Sequence, residues 1–254
     1  MITTQFDGYT AVVTGAGGGF GRAISSELAH RGAHIAVVDR DAVSGQRTVD
    51  EIVSAGGSAS LSVVDLTDSR SVNDMISDIV KDRGRLDIAV NNAGIGGDMV
   101  PLAEYPIDTW HHVINANLNS VFYCMRAELA TMKELGSGGS IINTASIMST
   151  VAMPNISAYV AAKHAVLGLT RSAAVEYGAY GIRVNAVGPS FSRIGFTAEK
   201  LDDDTQWEAM AAQHPLGRTA RPSDVASTVA FLASEAAAFT TGQLLLVDGG
   251  YTCQ

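Results

Sequence analysis

Cysteine is nearly missing from this chain. Cys124 and Cys253 are the only two in 254 residues, too few for a disulfide framework or a thiolate metal cluster, so a reducing cytoplasm is expected. Basic residues are scarce as well: 17 Lys and Arg face 26 Asp and Glu, for a net charge of −9. With no Lys/Arg cluster to offset repulsion from phosphates, the composition argues against a nucleic-acid surface, and the charge reads as solubility. No apolar run approaches the ~18 residues of a membrane span. The opening Met1–Asp7 lacks the basic-then-apolar pattern of a secretory leader. The six histidines form no ligand set. His111 and His112 occupy adjacent helix positions that face different ways, and no metal is expected.

What the chain does have is alternation. Short β-branched runs stand at Thr10–Thr14, His34–Val38, Ala59–Val64, Leu86–Val90, Ser140–Thr144, Ile182–Val187 and Gln243–Val247. Helical patterns lie between them at Gly19–Arg31, Ala42–Ala55, Ser69–Arg83, Ile107–Leu135, Asn155–Tyr177 and Pro222–Ser234. Apolar strands alternating with helices predict βαβ units and a parallel seven-stranded sheet covered on both faces, an α/β fold. No linker or repeat divides the chain, so residues 1–254 read as a single domain. Pro189–Leu216 breaks the rhythm with Phe191, Phe196, the acidic stretch Leu201-Asp202-Asp203-Asp204, Trp207 and Met210. A connection of that length reads as a substrate-binding loop or lid.

Tyr159 and Lys163 stand four residues apart, on one face of a predicted helix. An ammonium beside a phenol favours the phenolate, so a depressed Tyr159 pKa is expected, suited to acid–base work. Upstream, the strand Thr10–Thr14 runs into Gly15-Ala16-Gly17-Gly18-Gly19-Phe20-Gly21 and then a helix. That order aims backbone N–H groups and the positive helix end at a pyrophosphate. Asp39 ends the second strand, eighteen residues after Gly21. A carboxylate there accepts hydrogen bonds from adenosine ribose hydroxyls and repels a 2′-phosphate, which favours NAD over NADP. Arg40 beside it is the one cation that could counter that preference.

Taken together, these motifs resemble the classical short-chain dehydrogenase/reductase family over nearly the whole chain. Thr14–Gly21 matches TGxxxGxG. Asn91-Asn92-Ala93-Gly94 matches NNAG, and Asp248-Gly249-Gly250 matches the C-terminal pattern. The resemblance implies a doubly wound Rossmann fold, a catalytic set of Asn117, Ser146, Tyr159 and Lys163, and a homotetramer. It also implies cofactor contacts from Gly15, Gly19, Phe20, Gly21, Asp39, Asp65, Leu66, Asn92, Tyr159, Lys163, Pro189 and Ser192. Two positions depart from the pattern. Ser190 stands where the family has Gly, and Ile194 stands where a Thr usually bonds the nicotinamide carboxamide. Either Ser190 or Ser192 must then supply a hydroxyl, or the loop runs differently.

The reaction implied is reversible hydride transfer between a secondary alcohol and NAD, with Tyr159 as base. Lys163 tunes the phenol and holds the nicotinamide ribose, Ser146 bonds the substrate oxygen, and Asn117 holds a water that relays protons. The expected pocket walls are Ile147, Met148, Met153, Ile156, Phe191, Phe196, Trp207, Met210 and the Gly96-Gly97-Asp98-Met99 turn. Their apolar character suggests a small to medium hydrophobic or cyclic alcohol or ketone. Competing readings are an NADPH-dependent 3-oxoacyl thioester reductase, a non-catalytic dinucleotide-sensing regulator and a sugar-nucleotide epimerase.

Overall fold

The fold is built on β1 (Thr10–Thr14), β2 (His34–Asp39), β3 (Ser58–Val63), β4 (Ile88–Asn91), β5 (Gly139–Thr144), β6 (Ile182–Pro189) and β7 (Leu244–Val247). In the computed structural model, which describes residues 5–195, 198 and 203–254, these strands form one parallel sheet in the order β3-β2-β1-β4-β5-β6-β7. Phe196, Leu201 and Asp202 lie outside the described residues.

Helices α1 (Gly19–His30), α2 (Ala42–Ser54), α3 (Ser69–Arg83), α4 (Ile107–Ile114), α5 (Ser120–Leu135), α6 (Ser157–Tyr177), α7 (Asp204–Ala212) and α8 (Pro222–Ala233) complete the chain. Successive strand residues point to opposite faces, so each strand feeds two cores. Val12, Ala36, Val38, Ile141 and Val184 pack with Val72 and Ile76 of α3, Met125 and Leu129 of α5, and Val166 of α6. Ala11, Val13, Ile35, Val37 and Ile142 pack on the other face with Ile24 and Leu28 of α1, Ile52 of α2, and Val225 and Val229 of α8. The inner strands are therefore apolar throughout rather than alternating, as a sheet covered on both sides requires. This is a single-domain Rossmann fold.

Local signals set the helix ends. Asp68 caps α3 by accepting from the Arg70 and Ser71 amides, and Gly84 closes that helix in the left-handed region at φ 73°. The strand order reverses direction between β1 and β4, which opens a crevice at the carboxyl ends of those strands.

Two boundaries differ from the sequence expectation. Ile107–Leu135 is not one helix. It is interrupted by a π turn at Asn115–Asn119, whose wider i→i+5 bonding adds a residue without changing composition. Helix α6 starts at Ser157 rather than Asn155. Asn155 takes φ 69°, the one non-glycine with positive φ among the described residues. Its carbonyl accepts from the Val100 amide at 3.0 Å, which pins the loop after β4 to the start of α6.

Between β4, β5 and α5 lies a sealed polar cluster. Asn91 Nδ2 donates to Glu128 Oε2 and to Asn143 Oδ1, both at 3.0 Å, and Asn143 Nδ2 donates to Thr170 Oγ1 at 2.9 Å. Glu128 is fully buried. Desolvation pushes its carboxyl up to about 7 despite the Asn91 bond.

Candidate active site

The glycine turn after β1 is shaped by contacts that leave no room for side chains. A Cβ on Gly21 would stand 2.1 Å from the Gly15 carbonyl oxygen, and one on Gly15 would stand 2.9 Å from Ala93 Cα. Gly15 and Gly19 also take positive φ, 62° and 55°, where L side chains are strained. Gly18 caps α1 without any side-chain hydrogen bond. The first amides of that helix thus face outward with no internal acceptor. Asn92 holds the turn from below: its Nδ2 donates to the Thr14 and Gly15 carbonyls at 3.0 and 3.3 Å. Phe20 is half-buried against the apolar core behind the turn.

Asp39 is locked to the same turn. Its Oδ2 accepts from the Gly17 amide at 2.8 Å and its Oδ1 from the Asp41 amide at 3.0 Å. Arg22, which the sequence reading passed over, donates to the Gly17 carbonyl at 2.5 Å and to Thr48 Oγ1 at 3.2 Å. Its guanidinium braces the far side of the turn. Asp65 lies exposed after β3, its Oδ1 bonded to the Thr67 amide and hydroxyl at 2.9 and 2.7 Å. Those bonds hold its carboxyl below the usual range. Leu66 packs half-buried against the core. Glycine cradle, open helix end and Asp39 stand on one side of the β1/β4 crevice. They form a cradle of the kind a dinucleotide needs.

On the other side the structure brings the four candidate catalytic residues together. Ser146 follows β5, and its Oγ accepts from the Met148 amide at 3.1 Å. It also shares a hydrogen bond with Tyr159. One turn along α6, Lys163 Nζ sits 5.6 Å from the Tyr159 ring centroid and donates to the Thr144 carbonyl at 2.7 Å. Gly94 lies between Lys163 and Asn117: a Cβ there would be 2.5 Å from Asn117 Oδ1 and 3.7 Å from Lys163 Nζ. Asn117 sits in the π turn, fully buried. Its Nδ2 donates to the Ile95 and Val113 carbonyls at 3.0 and 2.9 Å, and its Oδ1 accepts from the Ile95 amide at 3.1 Å.

The electrostatics differ from the sequence expectation. Burial pushes the Tyr159 phenol up to about 12, with the Ser146 bond opposing. Burial also pulls the Lys163 ammonium down to about 8. In the protein alone, desolvation outweighs the attraction expected from the neighbouring ammonium. Tyr159 is only half-buried at the cleft, so it remains reachable by a substrate hydroxyl. Asn117 differs too. Both amide protons are spent on backbone carbonyls, so its side chain braces the loop after β4, and only an oxygen lone pair or its backbone is left for a water.

Beyond β6 the expected pocket walls divide. Ile147, Met148 and Trp207 are buried, Met153, Ile156 and Met210 are half-buried, and Met99 is exposed. Phe191 packs edge-on against His214 and Tyr251, with centroids at 6.2 and 5.6 Å. Gly97 is a forced glycine, since a Cβ there would reach Tyr105 and Val113 at 2.6 Å. Arg193 pairs with Asp204 at 2.7 Å and lies 5.2 Å over the Trp207 ring. Pro189 closes β6, and Ile194 Cδ1 lies 3.4 Å from where Gly19 would carry a Cβ. The segment after β6 therefore crosses back over the glycine turn. Ser190 Oγ bonds His214 Nε2 at 2.5 Å, whereas the buried Ser192 Oγ has no partner among the described residues. His214 carries no signal in the sequence, because a lone histidine in a connection without periodicity marks no chemistry. His111, His112 and His164 are exposed. No His/Cys/Asp/Glu cluster fit for a metal occurs among the described residues, and no helix among them is long and apolar enough to cross a membrane.

Comparison with known proteins places this geometry among relatives. A family model described as enoyl-(acyl carrier protein) reductase matches residues 15–252. The chain is 40% identical over 252 residues to a cyclohexanol dehydrogenase of Acinetobacter sp. (strain SE19), covering 99% of this chain and 98% of the relative. It is 45% identical over 243 residues to a cis-4-hydroxycyclohexanecarboxylate dehydrogenase of Sinomonas cyclohexanicum, covering 95% and 96%. The crystal structure of carveol dehydrogenase from Mycobacterium avium in complex with NAD superposes with a TM-score of 0.94 at 30% identity, covering 98% and 99%. Another solved relative holds NADP.

Proposed function

The chain belongs to the short-chain dehydrogenase/reductase family, and from that premise we propose an NAD-dependent dehydrogenase that interconverts hydrophobic, cyclic secondary alcohols and their ketones. The observation that carries this reading is the hydrogen bond between Ser146 and Tyr159 with Lys163 buried beside the ring, facing a glycine cradle across one crevice.

Gly15, Gly19, Gly21 and the open end of α1 would hold the pyrophosphate. Asp39 would take the adenosine ribose, and Asp65 and Leu66 would flank the adenine. Asn92, Tyr159 and Lys163 would meet the nicotinamide ribose. Phe20, Pro189 and Ser192 would line the nicotinamide end. Ser190 gives its hydroxyl to His214, while Ser192 keeps a buried hydroxyl with no partner among the described residues. That supports Ser192 as the group that stands in where Ile194 replaces a hydroxyl. The bound nicotinamide accepts or donates the hydride; the chain positions and polarises.

The substrate hydroxyl meets Ser146 Oγ and Tyr159 Oη. As phenolate, Tyr159 takes the hydroxyl proton during oxidation, and as phenol it returns that proton during reduction. Ser146 donates to the oxygen as charge develops there. Lys163 holds positive charge beside the phenol, and a water beside Asn117 would relay the proton outward. Because burial holds the phenol proton tightly, oxidation gains and reduction loses as pH rises.

Asp39 supports NAD over NADP. Its carboxylate is held at the turn by the Gly17 amide, where a 2′-phosphate would meet it. The cyclic substrate class is supported by the apolar walls Ile156, Met153 and Met210, and by two relatives named for cyclohexanol and hydroxycyclohexanecarboxylate. The described parts of the connection after β6, residues 189–195 and α7, would serve as the lid over that pocket.

The test is kcat/KM for cyclohexanol-type alcohols with NAD and with NADP, alongside a 3-oxoacyl thioester with NADPH. Clear preference for NAD and a cyclic alcohol is expected. Preference for the thioester with NADPH would overturn the reading.

A further inference from the structure

Ser190 is one of the two residues that break the family pattern after β6, and its surroundings explain what it does. Ser190 and His214 are both buried, 9% and 3% exposed, with Oγ and Nε2 2.5 Å apart. On the other side of the ring, His214 Nδ1 lies 2.8 Å from the Met210 carbonyl. A carbonyl oxygen only accepts, so the neutral ring carries its proton on Nδ1 and receives the Ser190 hydroxyl proton at Nε2. The imidazole is packed by Phe191 and Tyr251, with Tyr251 at 5.3 Å.

Three segments meet around this ring. The Ser190 amide donates to the Val247 carbonyl at the end of β7. The Ala220 amide donates to the Phe191 carbonyl, and the Leu216 amide to the Gly249 carbonyl. From Ser190 the chain runs to Ile194, which lies over Gly19 of the dinucleotide turn. From His214 it runs back along α7 to Met210 and Trp207. The Ser190–His214 bond is the buried side-chain link between the segment on the cofactor side and the end of the helix on the substrate side, beside the exposed Arg193–Asp204 pair.

We propose that Ser190 and His214 form a positioning pair that fixes the segment 190–195 over the dinucleotide turn and couples its placement to that of α7. Seating of the dinucleotide and closing of the substrate side are then one event. This rests on the dehydrogenase reading above. Glycine, the family's residue, fits the backbone here but leaves the two sides joined only by the exposed contacts of Arg193 with Asp204 and Trp207.

The test is a double-mutant cycle with Ser190→Gly and His214→Gln, with Ser190→Thr as the conservative rescue. Dissociation of NADH is followed by its fluorescence, KM and kcat for a cyclic alcohol are measured separately, and melting temperature reports the fold. Each single variant should weaken NADH binding about tenfold, or about 1.4 kcal/mol, and raise the alcohol KM. The double variant should be no worse than the worse single, and Ser190→Thr should recover most of the loss. Three results would overturn the pair: variants that melt lower yet bind NADH like the parent, additive losses, or no recovery with Thr. Failure of the parent to bind NADH at all would sink the dehydrogenase reading and the pair with it; binding by the parent with unaltered variants would sink the pair alone.

Discussion

At the residue scale, burial decides the charge states. Tyr159, Lys163 and Glu128 all move in the direction of their neutral forms, because taking a charge out of water costs more than the available partners return. Glu128 makes this measurable away from the reaction. Its folded pKa of about 7 stands above the ordinary 4.5, so the folded protein holds the proton more tightly than the unfolded chain. The stabilisation is complete below about pH 4.5 and is lost as pH rises through about 7, on the order of 3 kcal/mol across that window. Glu128→Gln keeps an oxygen to accept from Asn91 and cannot ionise. Its melting temperature, measured against the parent at pH 5 and at about pH 8, should therefore show the parent losing ground at the higher pH and the variant not. Equal slopes for both proteins would show that Glu128 stays charged. Sequence could not announce this group, because a Glu in an amphipathic helix reads as a solvated face until α5 is seen to turn it against Asn91.

At the element scale, the turns were more legible than the interruptions. The glycine turn, its flanking strand and helix, and Asp39 follow from residue type alone, since only Gly tolerates positive φ and such close backbone approach. Gly21→Ala should abolish dinucleotide binding, because its Cβ would overlap the Gly15 carbonyl. Calorimetric titration with NAD checks this, and retained affinity would show that the turn can relax. Seven strands and most helices lie within a residue or two of their sequence-based positions, because a sheet buried on both faces writes itself as apolar runs. The π turn around Asn117 was invisible: a single extra residue per turn leaves the apolar pattern of Ile107–Leu135 intact. The Asn155 break was also invisible, because Asn is a residue that both helices and left-handed turns accept. The Ser190–His214 bond spans 24 residues through a segment without periodicity, and only the fold brings its ends together.

At the scale of the whole molecule, several large apolar side chains stand exposed on separate elements. Phe231, Phe239 and Leu246 lie on α8, the turn after it and β7, and Ile107, Phe122 and Val175 lie on α4, α5 and α6. The family resemblance implies a homotetramer, in which a partner would cover such side chains. Sedimentation equilibrium should return four chains per particle, and a monomer at micromolar concentration would refute the assembly. The catalytic set is legible in order along the chain, yet only the parallel sheet makes it a site. β5, the π turn and α6 deliver Ser146, Asn117, Tyr159 and Lys163 to one crevice, opposite the turn after β1. The central claim is that Tyr159 carries the proton there. The most direct measurement is the rate of NADH formation from a cyclic secondary alcohol by the parent and by Tyr159→Phe, with NAD affinity determined for both. The account predicts turnover by the parent and a loss on the order of 10³-fold in the variant with NAD affinity little changed; turnover at the parent's rate in Tyr159→Phe would contradict it.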